Sequence, residues 1–548
     1  MFFGLHLNRM LKKLGHGRSP RVYRSISQAT AALVALGLAP SQNSFARTDA
    51  SYSQSGDVTA TSAVIWGRCN SERDAYFVVD VSTSTPLGKR FELLDAEDLE
   101  ETLGPLVSIV NAETDYTNSI VARGLRSDTR YFYRTLCVAR PAKGLVTAEL
   151  GGVGQFHTAP TAEQASPVRF VWAADLGGQG WGRNPNLEVT TVDGQTIRGG
   201  YVIFKVMNQL QPDFAIFQGD MIYADNAIPT EQEIPAELGG GVWVNDAAKD
   251  SVAITLDEFR ANWKYNLGDE KLGGFLQRTP VYAQWDDHEV TNNWYPGEIL
   301  IVEPYNGLSA DIVAERAKQA FFEYNPISGG RIFRKFQHGK HLEVFLLDER
   351  SFRGPNPANS EPTGIEMLGQ EQLEWLKRSL RDSQATWKVI STHDPLSIVT
   401  GGEGDRDAWA QGKANVLGRE VQLSRLLEFL KDEGIKNVVY LTSDVHYVAA
   451  ISYEPERAVF KNFDAFWEFV IGPVHAGAFG PGELDVSFGP NYEFLRAPGD
   501  ADNQLPQNSP PPNLHSFGMV DVSHDGLLKV SLLDITGEVL YEKTMEAK

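Results

Sequence analysis

The chain has 548 residues, enough for more than one domain, and its 42% hydrophobic and 10% aromatic content is that of a globular protein. A formal charge of −21 disfavours nonspecific binding to nucleic acid or to an anionic membrane, so an anionic substrate would have to be drawn in locally by cations. No apolar run approaches the ~20 residues that a membrane span requires.

Residues 1–46 differ from the rest: they carry six Lys or Arg (Arg9, Lys12, Lys13, Arg18, Arg21, Arg24) and no acid. The apolar stretch Ala31–Ala39, Pro40 and the small-residue ending Ser44-Phe-Ala46 follow. This is the order of a secretory signal peptide, which predicts cleavage after Ala46 and a secreted or periplasmic protein. No adjacent Arg pair supports a twin-arginine route.

From residue 47 to about 160, short β runs dominate: Ser62–Arg68, Tyr76–Asp80 and Tyr131–Leu136. The patterns Ser62-x-Val64-x-Trp66 and Leu125-x-x-x-Thr129-x-Tyr131 resemble those of fibronectin type III-like sandwiches, which implies an all-β, Ig-like first domain over 47–160. The two cysteines, Cys69 and Cys137, both fall here and exclude a cysteine-based zinc site. An exported protein permits a disulfide between them. Alternation argues mildly the other way: with Val64 and Trp66 inward, Cys69 points outward unless Gly67 is a bulge. The pairing stays open at this point.

Thr158–Pro167 is a linker by composition, and the second domain is expected over 161–548. Six apolar runs there read as strands, and each empties into polar chemistry. Arg169–Ala174 ends in Asp175-Leu-Gly177, and Phe214–Phe217 leads into Gly219-Asp220-Met-Ile-Tyr223-Ala-Asp225. Val281–Trp285 ends in Asp286-Asp287-His288-Glu289, and Leu342–Leu347 in Asp348-Glu349-Arg350. Trp387–Ser391 is followed by His393-Asp394, and Asn437–Leu441 by Ser443-Asp444-Val-His446. So many carboxylates at strand ends would repel one another unless cations lay between them, which points to a shared metal centre. Helical periodicity covers Tyr201–Gln211, Ala310–Tyr324, Gln370–Asp382 and Glu420–Glu433, giving the alternation of an α/β domain. Gly472–Pro512 is expected to be a long loop near the site, and Met519–Lys548 to be strands with turns at Asp525-Gly526 and Thr536-Gly537.

The order Asp175-x-Gly177, Gly219-Asp220-x-x-Tyr223, Asp287-His288-Glu289, His393, Asp444-x-His446 resembles the metallophosphoesterase motifs, and its finer details resemble the PhoD family of alkaline phosphatases and phosphodiesterases. The resemblance spans about residues 50–475. It implies an α/β sandwich of two sheets flanked by helices, with two cations that clamp a phosphoryl group and activate water. It places Asp175, Asp220, Tyr223 and His446 on one ion. Asp220, Asp287 and Asp444 fall near a second, with Asn292 and His393 as further candidates. A tyrosinate favours trivalent iron and the oxygen-rich second site favours Ca²⁺ or Mn²⁺, so the pairing adopted by analogy is iron with calcium; manganese and zinc are the alternatives. The sequence departs from the superfamily at Asp287, where an Asn is usual, and at Asp444, where a His is usual. It also lacks the cysteine ligand that some relatives carry at the end of the first strand.

His288 is the expected general acid, with a metal-ligand or supporting role as its alternative. Arg350 is the expected phosphate clamp, with an ion pair to Asp348 or Glu349 as its alternative. His475 is a third substrate-binding candidate, or an ordinary loop histidine. The leading functional reading is a monomeric, secreted metal-dependent phosphatase acting on phosphate mono- and diesters, including nucleotides and phospholipid headgroups, with no specific nucleic-acid binding. The alternatives are a phospholipase D-like phosphodiesterase and a secreted binding protein with a structural metal site.

Overall fold

The computed structural model describes residues 52–88, 92–139, 148–177, 183–234, 236, 240–244, 249–498 and 514–548. The signal-peptide expectation for residues 1–46 lies outside them, as do residues 499–512 of the expected loop. The chain divides into two compact units.

The first runs to Ala159 and recruits Gly273–Pro280 and Glu323–Ser328. It contains two antiparallel groups of strands. Tyr52–Gly56, Ser62–Arg68 and Thr117–Arg123 pair in that order, and Leu103–Val110, Ala75–Ser82, Arg130–Ala139 and Ala148–His157 in theirs. Ala63, Ile65 and Cys69 share a core with Phe77, Val79, Tyr133 and Cys137. The inward face of Ser62–Arg68 is therefore the odd-numbered one, opposite to the face expected from Trp66. Trp66 is buried because Glu323 and Tyr324 cover the other face: its indole N–H donates to the Glu323 carbonyl at 2.6 Å and its ring lies 5.9 Å from that of Tyr324. Gly67 pairs in unbroken register and is no bulge. Cys69 and Cys137 form a disulfide with Cα atoms 5.6 Å apart. The alternation argument failed because a strand covered on both faces carries no inward–outward signal.

The second unit holds Pro160–Leu272, Val281–Phe322 and Gly329–Lys548. It is a sheet-rich α/β sandwich. In one layer Val539–Met545, Leu528–Asp534, Ser516–Val522, Val168–Ala173, Phe214–Phe217 and Val281–Ala283 lie side by side, the last three parallel. The facing layer orders Arg334–His338, Leu342–Leu346, Trp387–Ser391, Val438–Thr442, Phe466–Val470, Val448–Tyr453 and Pro490–Arg496. Its middle strands are parallel too. Phe170, Trp172, Ile216, Val344, Val389, Val439 and Leu441 fill the space between the layers. Helices Gly369–Asp382 and Glu420–Asp432 bury Leu373, Leu376, Leu380, Leu423, Leu427 and Leu430 in the outer core on the second sheet.

The helices expected at 201–211, 310–324, 370–382 and 420–433 form as Val202–Gln209, Ala310–Tyr324, Gly369–Asp382 and Glu420–Asp432. Leu256–Leu267 is an additional helix that periodicity did not reveal: it buries Arg260, Asn262 and Asn266 as well as Phe259, Trp263 and Tyr265, so it has no apolar stripe. Its capping box, in which Glu258 N–H donates to Thr255 Oγ1 while Glu258 Oε2 accepts from Thr255 N–H, was legible as Thr-x-x-Glu. Pro490–Arg496 is a strand inside the stretch expected to be loop, pairing antiparallel with Val448–Tyr453. The tail turns at Gly526 and Gly537 as expected.

Candidate metal centre

Two buried glutamines fix the sheets to each other directly beneath the strand ends. Gln218 Nε2 donates to Ser391 Oγ at 2.9 Å and to the Leu441 carbonyl at 2.7 Å. Gln284 Nε2 donates to the Leu347 and Ser391 carbonyls at 2.8 and 3.0 Å. The six loops that leave these strands are thus held in one place, all within the second unit.

The first two loops are stitched by backbone bonds, with Leu176 N–H donating to the Asp220 carbonyl at 2.7 Å. Glu289 joins the second to the third: Oε2 accepts from the Asp220 and Asp286 amides at 2.9 and 2.8 Å, and Oε1 from the Met221 amide at 2.8 Å. Asp175, Asp220, Asp444 and His446 all have left-handed backbone, with φ between 53° and 69°. Such geometry is uncommon outside glycine and concentrates at functional sites. Two glycines make the close approaches. A Cβ on Gly219, at φ 107°, would sit 2.4 Å from the Asp286 amide, and one on Gly472, at φ 123°, 2.1 Å from Asp175 Oδ2.

Asp175, Asp220 and His446 offer donor atoms that lie within 4.8 Å of one another, as do Asp220, Asp287 and His288. Asp286, Asp287 and Asp444 make a further such group, and Asp394, Asp407 and Asp444 another. Tyr223 Oη is 2.8 Å from His446 Nε2, and His446 Nδ1 is directed at the Gly477 carbonyl. Asp175 is 1% exposed, yet among the described residues neither of its carboxylate oxygens accepts a hydrogen bond. Burial, then Asp286 and Asp287, push the Asp175 carboxyl well above its ordinary range; burial, then Asp287 and Asp286, do the same to Asp220. Burial, followed by Asp220 and Asp175, likewise pushes the Tyr223 phenol up. Hard oxygen donors crowded together in a buried site, with both Asp175 oxygens left unfilled among the described residues, are the kind of donor set that a cation satisfies.

The remaining expected residues fall as follows. His288 stacks on Tyr223 with ring centroids 4.1 Å apart. Its amide donates to Asp220 Oδ1 at 3.1 Å, and its Nδ1 lies 2.8 Å from Asp225 Oδ1. Burial opposes charge on this ring, but Asp225 and Asp287 outweigh it and raise its pKa to about 9. His393 is fully buried, with Nδ1 2.8 Å from Asp286 Oδ1 and 3.5 Å from Glu349 Oε2. Arg350 is 0% exposed. Its Nε donates to Asp286 Oδ1 at 2.5 Å, and Nη1 and Nη2 donate to the two oxygens of Asp407, each at 2.9 Å. Neither Asp348 nor Glu349 is its partner: Asp348 Oδ1 accepts from Trp285 Nε1, and Glu349 Oε1 from Trp409 Nε1. Asn292 is exposed, its amide donating to Asp225 Oδ2 at 2.8 Å. His475 donates its backbone N–H to the Asp175 carbonyl at 3.1 Å, while its ring lies 5.4 Å from that of Tyr201 and 4.5 Å from that of His515.

Reading the sequence missed Asp407 and Arg353. Arg353 Nη1 donates to Asp407 Oδ1 at 2.8 Å and its Nη2 to Asp394. Burial resists the Asp394 charge, but Arg353 and Arg350 overcome it and hold its pKa far below the usual range.

The family model described as PhoD-like phosphatase matches residues 170–528, which include every residue placed around the site, and the model of that family's N-terminal domain matches residues 35–160. The chain is 25% identical to alkaline phosphatase D of Bacillus subtilis (strain 168) over 454 residues, covering 78% of this chain and 69% of that one. A solved structure of PhoD superposes with a TM-score of 0.63 at 19% identity, covering 93% of this chain and 94% of that one. Purple acid phosphatase PPD1 from yellow lupin (Lupinus luteus) seeds gives 0.50 at 12%, covering 90% and 74%. These two likenesses bear on the fold alone. With its motifs gathered at one end of a two-layer sandwich and the family match covering more than half of the chain, the chain belongs to the PhoD-like phosphatase family and is a phosphoric ester hydrolase.

Proposed function

We propose that the protein is an exported, metal-dependent alkaline phosphatase that also cleaves phosphate diesters. The observation that carries the reading is Asp175: a buried carboxylate with no hydrogen bond to either oxygen among the described residues, set against Asp220 and His446. Asp175, Asp220, Tyr223 and His446 would hold one cation, and Asp220, Asp287 and Asp444 a second, with Asn292 and His393 nearby. Iron with calcium suits a phenol beside an oxygen-rich set, with manganese or zinc as substitutes. Bound there, such ions would supply phosphate binding and an activated water.

The chain's own residues would do the rest. Asp225 fixes the His288 tautomer, which leaves Nε2 to hand a proton to the departing alkoxide. Arg350 reads best as a positioning residue that orients Asp286, because Asp286 and Asp407 take up its fork. His475 would support Asp175 through its amide. Export is supported by the basic and apolar residues of 1–46 and by the disulfide. The fibronectin-like reading of the first unit, with boundaries at 47, 160 and 161, is supported by its antiparallel groups of three and four strands and by Tyr131 Oη, which accepts from the Arg126 amide at 3.0 Å.

The test is metal analysis of the purified protein beside p-nitrophenyl and bis-p-nitrophenyl phosphate turnover from pH 5 to 10. Turnover with an optimum above neutrality is expected, lost on chelation and restored by metal. Full turnover after chelation to a metal-free state would overturn metal dependence, and an untouched bis ester would restrict the enzyme to monoesters.

A further inference from the structure

We infer that Phe479 forms a leaving-group subsite that takes a flat aromatic face, either an aryl ring or a nucleobase. This rests on the phosphatase reading and names the substrate class of the same site. Phe479 is 40% exposed. Its ring centroid lies 4.8 Å from that of His446, at an interplanar angle of 30°. His446 in turn stands between Tyr223 and Asp175, so the phenyl ring sits at the edge of the donor cluster.

An exposed phenylalanine on a slack loop would carry no meaning, but this loop is pinned on both sides. His446 Nδ1 is bound at the Gly477 carbonyl. Gly482 donates its N–H to Tyr447 Oη at 3.0 Å and accepts from Tyr492 Oη at 3.1 Å, and those two hydroxyls are themselves 3.1 Å apart. Just beyond, the Val399 amide donates to the Glu483 carbonyl at 2.9 Å and Asp485 N–H to the Ser397 carbonyl at 2.8 Å. The fold therefore fixes the backbone on either side of a large apolar side chain that stays 40% exposed beside the site. The organic half of an aryl or nucleoside ester is uncharged at its ring, and an aromatic side chain supplies an uncharged contact for it. Stacking is tolerant of what is stacked, so a nucleobase and a phenyl ring share the chemistry.

The experiment uses metal-loaded full-length protein and ligands that are not hydrolysed. Calorimetry measures phenylphosphonate, methylphosphonate and an adenosine 5′-phosphonate on wild type, Phe479→Ala and Phe479→Tyr, with metal content measured on each. In Phe479→Ala the preference for each aromatic phosphonate over methylphosphonate should fall about five- to tenfold, and Phe479→Tyr should keep it. A fall confined to phenylphosphonate or to the adenosine ligand would identify which face the subsite takes. An unchanged preference in Phe479→Ala at full metal content would overturn the subsite. So would a lost preference in Phe479→Tyr, or metal loss in Phe479→Ala that accounts for the whole change. Failure of the wild type to hydrolyse any ester would overturn the phosphatase reading separately, because the binding ratio does not depend on turnover.

Discussion

The two sides of the candidate centre solve one electrostatic problem differently. On one side, Asp175, Asp220 and Tyr223 are buried and pair with no arginine among the described residues, with the His288 ring as their charged neighbour, and all three are pushed towards their neutral forms. On the other, Asp286, Asp394 and Asp407 are buried just as deeply but surround Arg350 and Arg353, and Asp394 is held ionised. The second set has its cations built in covalently and can hold its shape alone; the first would, on the proposed reading, be completed by a cation from solution. On the proposed reading the arginine side would serve as a rigid back wall, and the other, the open side, would be the place where metal and phosphate exchange.

The largest effect should come from the open side. Asp220→Asn keeps an oxygen for the His288 amide but removes the charge shared by the two proposed ions. Activity should fall on the order of a thousandfold, with metal content dropping in parallel. The metal-free variant should be more stable than metal-free wild type by roughly 1 kcal/mol, because a repelling carboxylate has gone. Thermal unfolding with and without chelator checks the sign. A less stable metal-free variant would dissolve the contrast between the two sides.

The opposite sign is expected across the site. Asp407→Ala leaves Arg350 and Arg353 buried without their shared partner. That should cost about 3–5 kcal/mol whether metal is present or absent. Denaturant titration of both forms reads it, and a loss rescued by metal would show that Asp407 belongs to the open side instead.

His288 stands on the open side, bonded to Asp220 through its amide and to Asp225 through its ring. His288→Ala should lower turnover about 10²-fold on an ester with a poor alkoxide leaving group, and much less on p-nitrophenyl phosphate, whose leaving group needs no proton. Equal losses on both substrates would remove the general-acid role.

The open side was legible in the sequence because each of its residues follows an apolar run that could only be a buried strand. Asp175, Asp220, Tyr223, Asp287, Asp444 and His446 all stand within six residues of such a run. The arginine side was half hidden. Asp407 lies in a loop beyond the two-residue strands Gly401–Gly402 and Asp405–Arg406, where no periodicity marks it. The partners of Arg350 were sought among its sequence neighbours, but the turn after Leu342–Leu346 sends Asp348 towards Trp285 and Glu349 towards Trp409. In the first unit the face of Ser62–Arg68 was misread because its cover comes from Glu323 and Tyr324, more than 250 positions away. Local patterns carry which residues end a strand; which distant segment closes over them is settled by packing that no window of sequence contains.

Glu420 supplies the case between the two sides: a buried carboxylate with neither arginine nor metal. Its Oε2 accepts from Gln411 Nε2 at 3.0 Å and Ser487 Oγ at 3.3 Å, and among the described residues Oε1 accepts no hydrogen bond. Burial, with Asp485 adding repulsion, raises its pKa from 4.5 to about 8. The folded protein therefore binds a proton here that the unfolded chain gives up above pH 4.5. The stability of the protonated form is fully present below that value and declines as pH rises through about 8, where the buried carboxyl must ionise. Glu420→Gln cannot ionise, so it should match wild type near pH 5 and exceed it by on the order of 2 kcal/mol near pH 9. Chemical denaturation at the two pH values checks this with metal kept constant. Equal stability at pH 9 would mean that Glu420 stays charged at little cost. Burial without a cation would then not be what drives up Asp175 and Asp220, and their repulsion from the neighbouring carboxylates would have to carry the whole effect.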